Sequence, residues 1–327
     1  MGLLVQGKWQ DKWYNTGSDG DFKREAAQLR NWITADGSAG PSGQAGFQAE
    51  SGRYHLYVSL ACPWAHRTLI FRKLKGLESH IGVSVVSTDM LDQGWSFDSQ
   101  TGSTGDSLYG LHHLHELYTR NQSNYSGRVT VPVLWDKTRE TIVNNESSEI
   151  IRMFNSAFNH ITGNHDDYYP ESHRTAIDAV NDDVYSNINN GVYRCGFATS
   201  QTAYEQAYTN LFAALARMEH RLGQHRYLTG DQITEADWRL FTTLIRFDSV
   251  YYGHFKCNQA QIESYPNLSH YLRELYQWSG VSDTIDFDQI KRHYYFSHTT
   301  INPTQIVPLG PRLDYQRPHN RETLLQA

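Results

Sequence analysis

One cysteine in this chain stands where a thiol can react. Cys62 is followed by Pro63. The pair sits between an alternating run, Tyr54-His55-Leu56-Tyr57-Val58-Ser59, and a stretch with helical apolar spacing at Leu69, Ile70, Phe71 and Leu74. A strand, then Cys-Pro, then a helix puts the sulfur at a helix N-terminus. There, unpaired N–H groups and the positive end of the helix dipole stabilise a thiolate. Proline belongs in the first helical turn, because the N–H that it lacks would have had no partner. The motif reads Cys-Pro-Trp-Ala rather than Cys-x-x-Cys, so it holds no second thiol to resolve a mixed disulfide. Unless Cys195 or Cys257 folds close by, Cys62 needs a thiol from outside, and the abundant cytosolic choice is glutathione.

The elements that must hold Cys62 follow from the same pattern reading. After the strand at 54–59 and the helix at 67–75, a second strand is expected at 81–86. Residues 87–127 form a long excursion with Trp95, a glycine-rich stretch at Gly102 and Gly105, and a short apolar helix near 108–118. Val129 to Trp135 reads as a strand with Pro132 inside it, which calls for an edge, a bulge or a cis bond. A fourth strand is expected at 141–143 and a helix at 146–158. Beyond about residue 161 the pattern is helical only, with helices expected at 173–190, 201–222, 235–252 and 268–277. Thr234 and Asp237 have the spacing of a capping box. Residues 1–52 are polar and glycine-rich, with a short helix expected at 22–32, and carry no evident chemistry. The segment from Phe287 is rich in Tyr, His and Pro and ends in a polar tail.

Composition narrows the function classes. The chain has 327 residues, and at roughly 150 residues per domain that suggests two domains. The net charge of −6 gives no general footprint for nucleic-acid backbones. Three scattered cysteines make no disulfide framework and no zinc-ligand pair, and they fit a reducing compartment. The N-terminus has no signal-peptide pattern, and no apolar run approaches a membrane span. The expected location is the cytoplasm. The 8 Trp, 21 Tyr and 13 Phe are enough flat rings to line a pocket for a flat ligand or to fill an aromatic core.

Taken together, the strand–Cys-Pro–helix unit, Val131-Pro132, the Glu146-Ser147 helix start and the helical second half resemble a glutathione transferase. The stretch 53–78, with Ser59-Leu60-Ala61-Cys62-Pro63-Trp64-Ala65-His66-Arg67, is similar to the Xi class, the glutathionyl-hydroquinone reductases. So are Gly127 to Trp135, Asn190-Gly191-Val192-Tyr193 and Thr299-Thr300-Ile301-Asn302-Pro303, and the similarity spans nearly the whole chain. The resemblance implies a thioredoxin-like α/β N-terminal domain over 53–158 and an all-α C-terminal domain over 159–327, preceded by an extension over 1–52. It implies glutathione as co-substrate, with neither metal nor nicotinamide, and a homodimer.

The resemblance also assigns roles. Val131 pairs its backbone with the cysteinyl part of glutathione, and Pro132 is cis. Ser147 and the helix start receive the γ-glutamyl carboxylate, as helix N-termini do. Glu146 holds the ammonium, Arg128 partners a carboxylate and Trp95 packs on the peptide. Tyr193 and Tyr294 hydrogen-bond the ring hydroxyls of an aromatic hydroquinone conjugate, with Tyr295 the neighbour one register away. His66 and Arg67 either add positive potential near Cys62 or lie on the helix surface. The implied reaction is reduction of a glutathionyl-hydroquinone through a Cys62–glutathione disulfide. An Omega-like thiol transferase would share the Cys62 chemistry without needing the two tyrosines, and a non-catalytic glutathione-binding protein would need no reactive thiol.

Overall fold

The run at 54–59 becomes a central strand. All five residues of β3, Tyr54–Val58, are buried, His55 included. In a computed structural model that describes residues 2–14 and 16–325, the chain forms two units. The first comprises residues 2–14, 24–166 and 284–293, and the second 16–23, 167–283 and 294–325. The units are interleaved along the sequence, while the resemblance implies contiguous segments over 1–52, 53–158 and 159–327.

In the first unit, β1 (Leu3–Val5) and β2 (Lys8–Gln10) precede β3, and α1 (Pro63–Leu74) and β4 (Gly82–Val85) follow it. Then come α2 (Leu114–Asn121), β5 (Gly127–Arg128), β6 (Val133–Asp136), β7 (Thr141–Asn144), α3 (Ser147–Ser156) and the single turn α4 (Asn159–Thr162). Four strands make one sheet in the order β4-β3-β6-β7. The β3–β4 pair is parallel, while β3–β6 and β6–β7 are antiparallel. A parallel neighbour needs a crossover, and α1 supplies it. His55 tolerates burial because its Nε2 is 2.9 Å from Ser84 Oγ on the adjacent strand. Of the strand expected over 129–135 only 133–135 forms, within β6; β5 ends at Arg128, and the cis Val131–Pro132 peptide lies between the two strands.

Two stretches of the extension fold differently from the pattern reading. β1 pairs with β2 and, antiparallel, with β5, opposing Leu3 to Arg128. No helix forms at 22–32. Instead Asn31 N donates to Val143 O and Asn145 N donates to Leu29 O, so this stretch lies extended along β7. Ladder bonds to a sheet edge outcompete the local helical preference. The helix expected near 108–118 starts later, at Leu114, because the Asp106 carboxylate gathers the N–H groups of Leu108, Tyr109 and Leu111 into a turn.

The second unit is helical: α5 (Arg174–Asp183), α6 (Gly191–Phe197), α7 (Gln201–Leu222), α8 (Glu235–Arg246), the single turn α9 (Tyr252–His254) and α10 (Pro266–Gln277). Wider π-helical segments, Val184–Asn189 and Phe247–Tyr251, follow α5 and α8. The Thr234–Asp237 box caps α8 as expected, with Thr234 N donating to Asp237 Oδ2 at 2.8 Å. The C-terminal stretch holds a further helix, α11 (Phe287–Ser297). Its residues up to His293 belong to the first unit and those from Tyr294 to the second. Among the described residues, no helix is long and apolar enough to cross a membrane.

Candidate active site

In the first unit, Cys62 is the N-cap of α1, with extended backbone angles (φ −76°, ψ 121°) and Pro63 in the first turn. It is half-buried, and its Sγ donates to Val131 O at 3.7 Å. The turn that delivers it is tied by Cys62 N to Ser59 O and by His66 N to Cys62 O. His66 and Arg67 are not on a helix surface. Both are fully buried, because α1 buries residues on all sides from Ala65 to Phe71. His66 Nε2 is 2.8 Å from Thr284 Oγ1, and Arg67 Nη1 donates to Ser147 Oγ at 3.4 Å. Arg67 also lies 4.6 Å over the Trp64 ring, and Arg24, from the extension, lies 4.7 Å from that ring.

The residues assigned to glutathione lie in this same unit. Ser147 is the first residue of α3 and is buried. Glu146 is the N-cap of α3. Its Oε1 accepts from Ser148 N at 3.0 Å and Ser148 Oγ at 2.8 Å, so part of this carboxylate caps the helix. Arg128 is buried on β5. Its Nε donates to Glu25 Oε1 at 3.1 Å, its Nη1 to Lys12 O and its Nη2 to Trp13 O at 3.1 Å. A guanidinium has five N–H donors, so two remain for a ligand carboxylate. Trp95 is buried and stacks on His293 with ring centroids 4.9 Å apart. Its indole N–H has no acceptor among the described residues. Such an orphaned donor suits a ligand oxygen.

The two assigned tyrosines lie in the second unit and touch. Tyr193 on α6 and Tyr294 on α11 have hydroxyl oxygens 2.6 Å apart. Tyr295 points elsewhere, packing its ring 4.6 Å from that of His254. A third phenol, overlooked in the sequence, extends the chain: Tyr251 Oη is 3.0 Å from Tyr294 Oη. Tyr251 closes a π-helical segment, a rare wider turn often found at functional sites. Nothing in the sequence separates it from the other tyrosines. Burial pushes the Tyr251 and Tyr294 hydroxyls well above the usual phenol range, and Arg246 opposes the rise. Both phenols are therefore neutral hydrogen-bond donors at neutral pH. Phe255 forms one wall, its ring 5.5 Å from Tyr193 and 5.6 Å from Tyr294. Gly196 admits that ring, since a Cβ there would sit 2.2 Å from it.

Cys195 and Cys257 are also in the second unit, and both are buried. Burial, with a hydrogen bond from one thiol to the other, pushes Cys257 well above its ordinary value. The Cys257 thiol is thereby held neutral.

The chain is similar to glutathione transferases over nearly its whole length. A family model for the glutathione S-transferase N-terminal domain matches residues 61–157, and one for the C-terminal domain matches 201–274. The glutathionyl-hydroquinone reductase YqjG of Escherichia coli (strain K12) is 58% identical over 324 residues, covering 98% of this chain and 99% of that protein. Its glutathione-bound structure superposes with a TM-score of 0.92, covering 98% and 99% of the two chains at 55% identity. The Xi-class transferase from Natrialba magadii gives a TM-score of 0.91 at 47% identity, covering 99% of this chain and 97% of that one. The chain belongs to the Xi class of glutathione transferases, the glutathionyl-hydroquinone reductases.

Proposed function

We propose that this chain reduces glutathionyl-hydroquinones to hydroquinones, with Cys62 as nucleophile and glutathione as reductant. The Cys62 thiolate attacks the glutathione sulfur of the conjugate. The sulfur–ring-carbon bond breaks, its electron pair goes to the ring carbon, and that carbon takes a proton. A Cys62–glutathione disulfide remains. A second glutathione thiolate attacks it, releasing oxidised glutathione and restoring Cys62. The ring carbon is reduced by two electrons and two glutathione sulfurs are oxidised, so the cycle closes.

The observation that carries this reading is the isolation of Cys62 at the α1 N-terminus. Its unit contains no other cysteine, the other two are buried, and Cys257 is pushed well above its ordinary value. A disulfide formed at Cys62 is then resolved from outside. Glutathione lies with its cysteinyl backbone along Val131. Its γ-glutamyl carboxylate is at Ser147 and the α3 start, its ammonium at Glu146, and its remaining carboxylate at Arg128 and the Trp95 N–H. The hydroquinone oxygens bind Tyr193 and Tyr294. The outer phenol, Tyr193, is only partly buried and supplies the proton to the ring. The need for glutathione and three cysteines outside any disulfide favour the cytoplasm, and the family resemblance favours a homodimer. Mass spectrometry of products from a glutathionyl-hydroquinone plus glutathione tests the reading. Free hydroquinone and oxidised glutathione in equal amounts support it. Turnover of small mixed disulfides but not of the conjugate would make the chain a thiol transferase.

A further inference from the structure

The N-terminal extension carries no chemistry evident in the sequence, yet residues of 2–14 and 16–25 contact groups assigned to each substrate within their own units. In the first unit, Trp9 Nε1 donates to Asp92 O at 2.9 Å, and its ring lies against Gly94. Gly94 has φ +70°, and a Cβ there would sit 2.6 Å from the indole. The next residue is Trp95. The Trp9 ring also stacks on His115 at 4.8 Å, and the residue before it, Leu114, donates its N–H to Trp95 O at 2.9 Å. Trp9 thus braces both segments that hold the Trp95 backbone. Arg128 is enclosed by the same part of the chain: Leu3 opposite it in the sheet, Lys12 and Trp13 carbonyls, the Glu25 carboxylate and the Tyr14 ring 4.3 Å from its Cζ. Tyr14 is buried, and burial raises its hydroxyl above the usual phenol range, with Arg24 and Arg128 opposing the rise.

In the second unit, the intervening residues act on Tyr193. The Phe22 ring stacks on Tyr193 at 6.3 Å and packs 5.6 Å from Phe197. The Asp21 carboxylate takes both Nε and Nη2 of Arg194, at 2.9 and 3.0 Å, fixing the residue next to Tyr193. Such bidentate pairs fix orientation as well as distance.

Resting on the site assignment proposed above, we infer that residues 2–14 and 16–25 position the binding groups: Trp9 and Glu25 hold Trp95 and Arg128 for glutathione, and Phe22 holds Tyr193 for the hydroquinone. None of these three is a catalytic residue. A displacement of about an ångström in a binding group is enough to cost turnover.

The test uses the full-length enzyme and two acceptors, the glutathione conjugate of 1,4-benzohydroquinone and the mixed disulfide of glutathione with 2-mercaptoethanol. Trp9→Leu is expected to raise KM for glutathione roughly three- to tenfold with either acceptor. Its kcat and the rate of Cys62 alkylation by iodoacetamide should stay within about twofold, and Trp9→Phe should recover part of the loss. Phe22→Leu is expected to lower kcat/KM for the conjugate by a similar factor while leaving the mixed disulfide unaffected. If Trp9→Leu does not melt cooperatively, Glu25→Gln, at an exposed carboxylate, carries the same KM expectation through Arg128. Unchanged KM in both variants overturns the inference, as does equal loss of KM, kcat and alkylation in parallel with lost stability. A Phe22→Leu effect equal on both acceptors overturns its second half. Wild-type enzyme that handles the mixed disulfide but not the conjugate would sink the hydroquinone reading and the Phe22 half with it, leaving Trp9 and Glu25 to stand or fall on the glutathione KM.

Discussion

The Cys62 thiol donates to the carbonyl oxygen of Val131 across 3.7 Å. The sulfur and the backbone end assigned to an extended peptide are thus neighbours in one unit. The same sulfur is half-buried, while Cys195 and Cys257 are buried and Cys257 is pushed well above its ordinary value. Native protein treated with iodoacetamide at neutral pH should therefore take one label, at Cys62, and denatured protein three. Intact-mass and peptide analysis read the result. A second label on native protein would mean that the buried pair opens.

Replacing the sulfur should separate binding from chemistry. Cys62→Ser is expected to bind glutathione within about threefold of wild type, because the groups assigned to the tripeptide lie elsewhere: on β5, the β5–β6 loop and the α3 start, and at Trp95 between β4 and α2. Its reduction of the conjugate should fall to background. Cys195→Ser and Cys257→Ser should stay active. Calorimetry and product analysis check these outcomes, and turnover by Cys62→Ser at the wild-type rate would rule out the covalent mechanism.

Cys62 was legible in the sequence because its chemistry is local: Cys-Pro between an alternating run and a helical one fixes the thiol at a helix start. Arg128, Trp95 and the tyrosine pair carry no such local signal and came through resemblance. β1 and β2 escaped because three-residue strands are defined by a partner, and β1 finds it in β5, more than a hundred residues away. The helical spacing at 22–32 misled because bonds to Val143 and Asn145 decide the backbone there. Tyr251 was hidden for a related reason, since only the π-helical turn and α11 bring its hydroxyl to Tyr294.

The phenol chain sets up an internal comparison. Tyr193→Phe and Tyr294→Phe keep the rings and remove one hydroxyl each. Each should lower kcat/KM for the conjugate by about 2- to 13-fold, the worth of one hydrogen bond. The loss at Tyr193 should be larger if it delivers the proton, since general acid catalysis contributes roughly 10²- to 10⁴-fold. Tyr251→Phe strips Tyr294 of a neighbour and should show a smaller loss of the same kind. Turnover of a small mixed disulfide should not change. Tyr295→Phe, facing His254, should be silent. Loss at Tyr295 alone would shift the site by one residue.

Buried titrating groups give opposite pH signatures. Burial lowers His55 from 6.5 to about 4. Between those values the unfolded chain binds the extra proton, so stability contributed by neutral His55 is lost as pH falls from about 6.5 to 4. Burial raises Asp237 to about 6, against hydrogen bonds from Leu228 N, Thr234 N and Tyr271 Oη. There the native state holds the proton, so protonation of Asp237 adds stability as pH falls from about 6 to 3.8. Each shift of about two units is worth about 3 kcal/mol over its window. His55→Gln keeps a partner for Ser84 and removes the titration. Relative to wild type it should gain about 3 kcal/mol as pH drops from 6.5 to 4. Asp237→Asn should lose about the same amount relative to wild type as pH drops from 6 to 3.8. Urea unfolding at half-unit pH steps measures both differences, and every other titrating group cancels in them. Parallel curves for wild type and variant would mean that the group does not titrate differently in the folded chain.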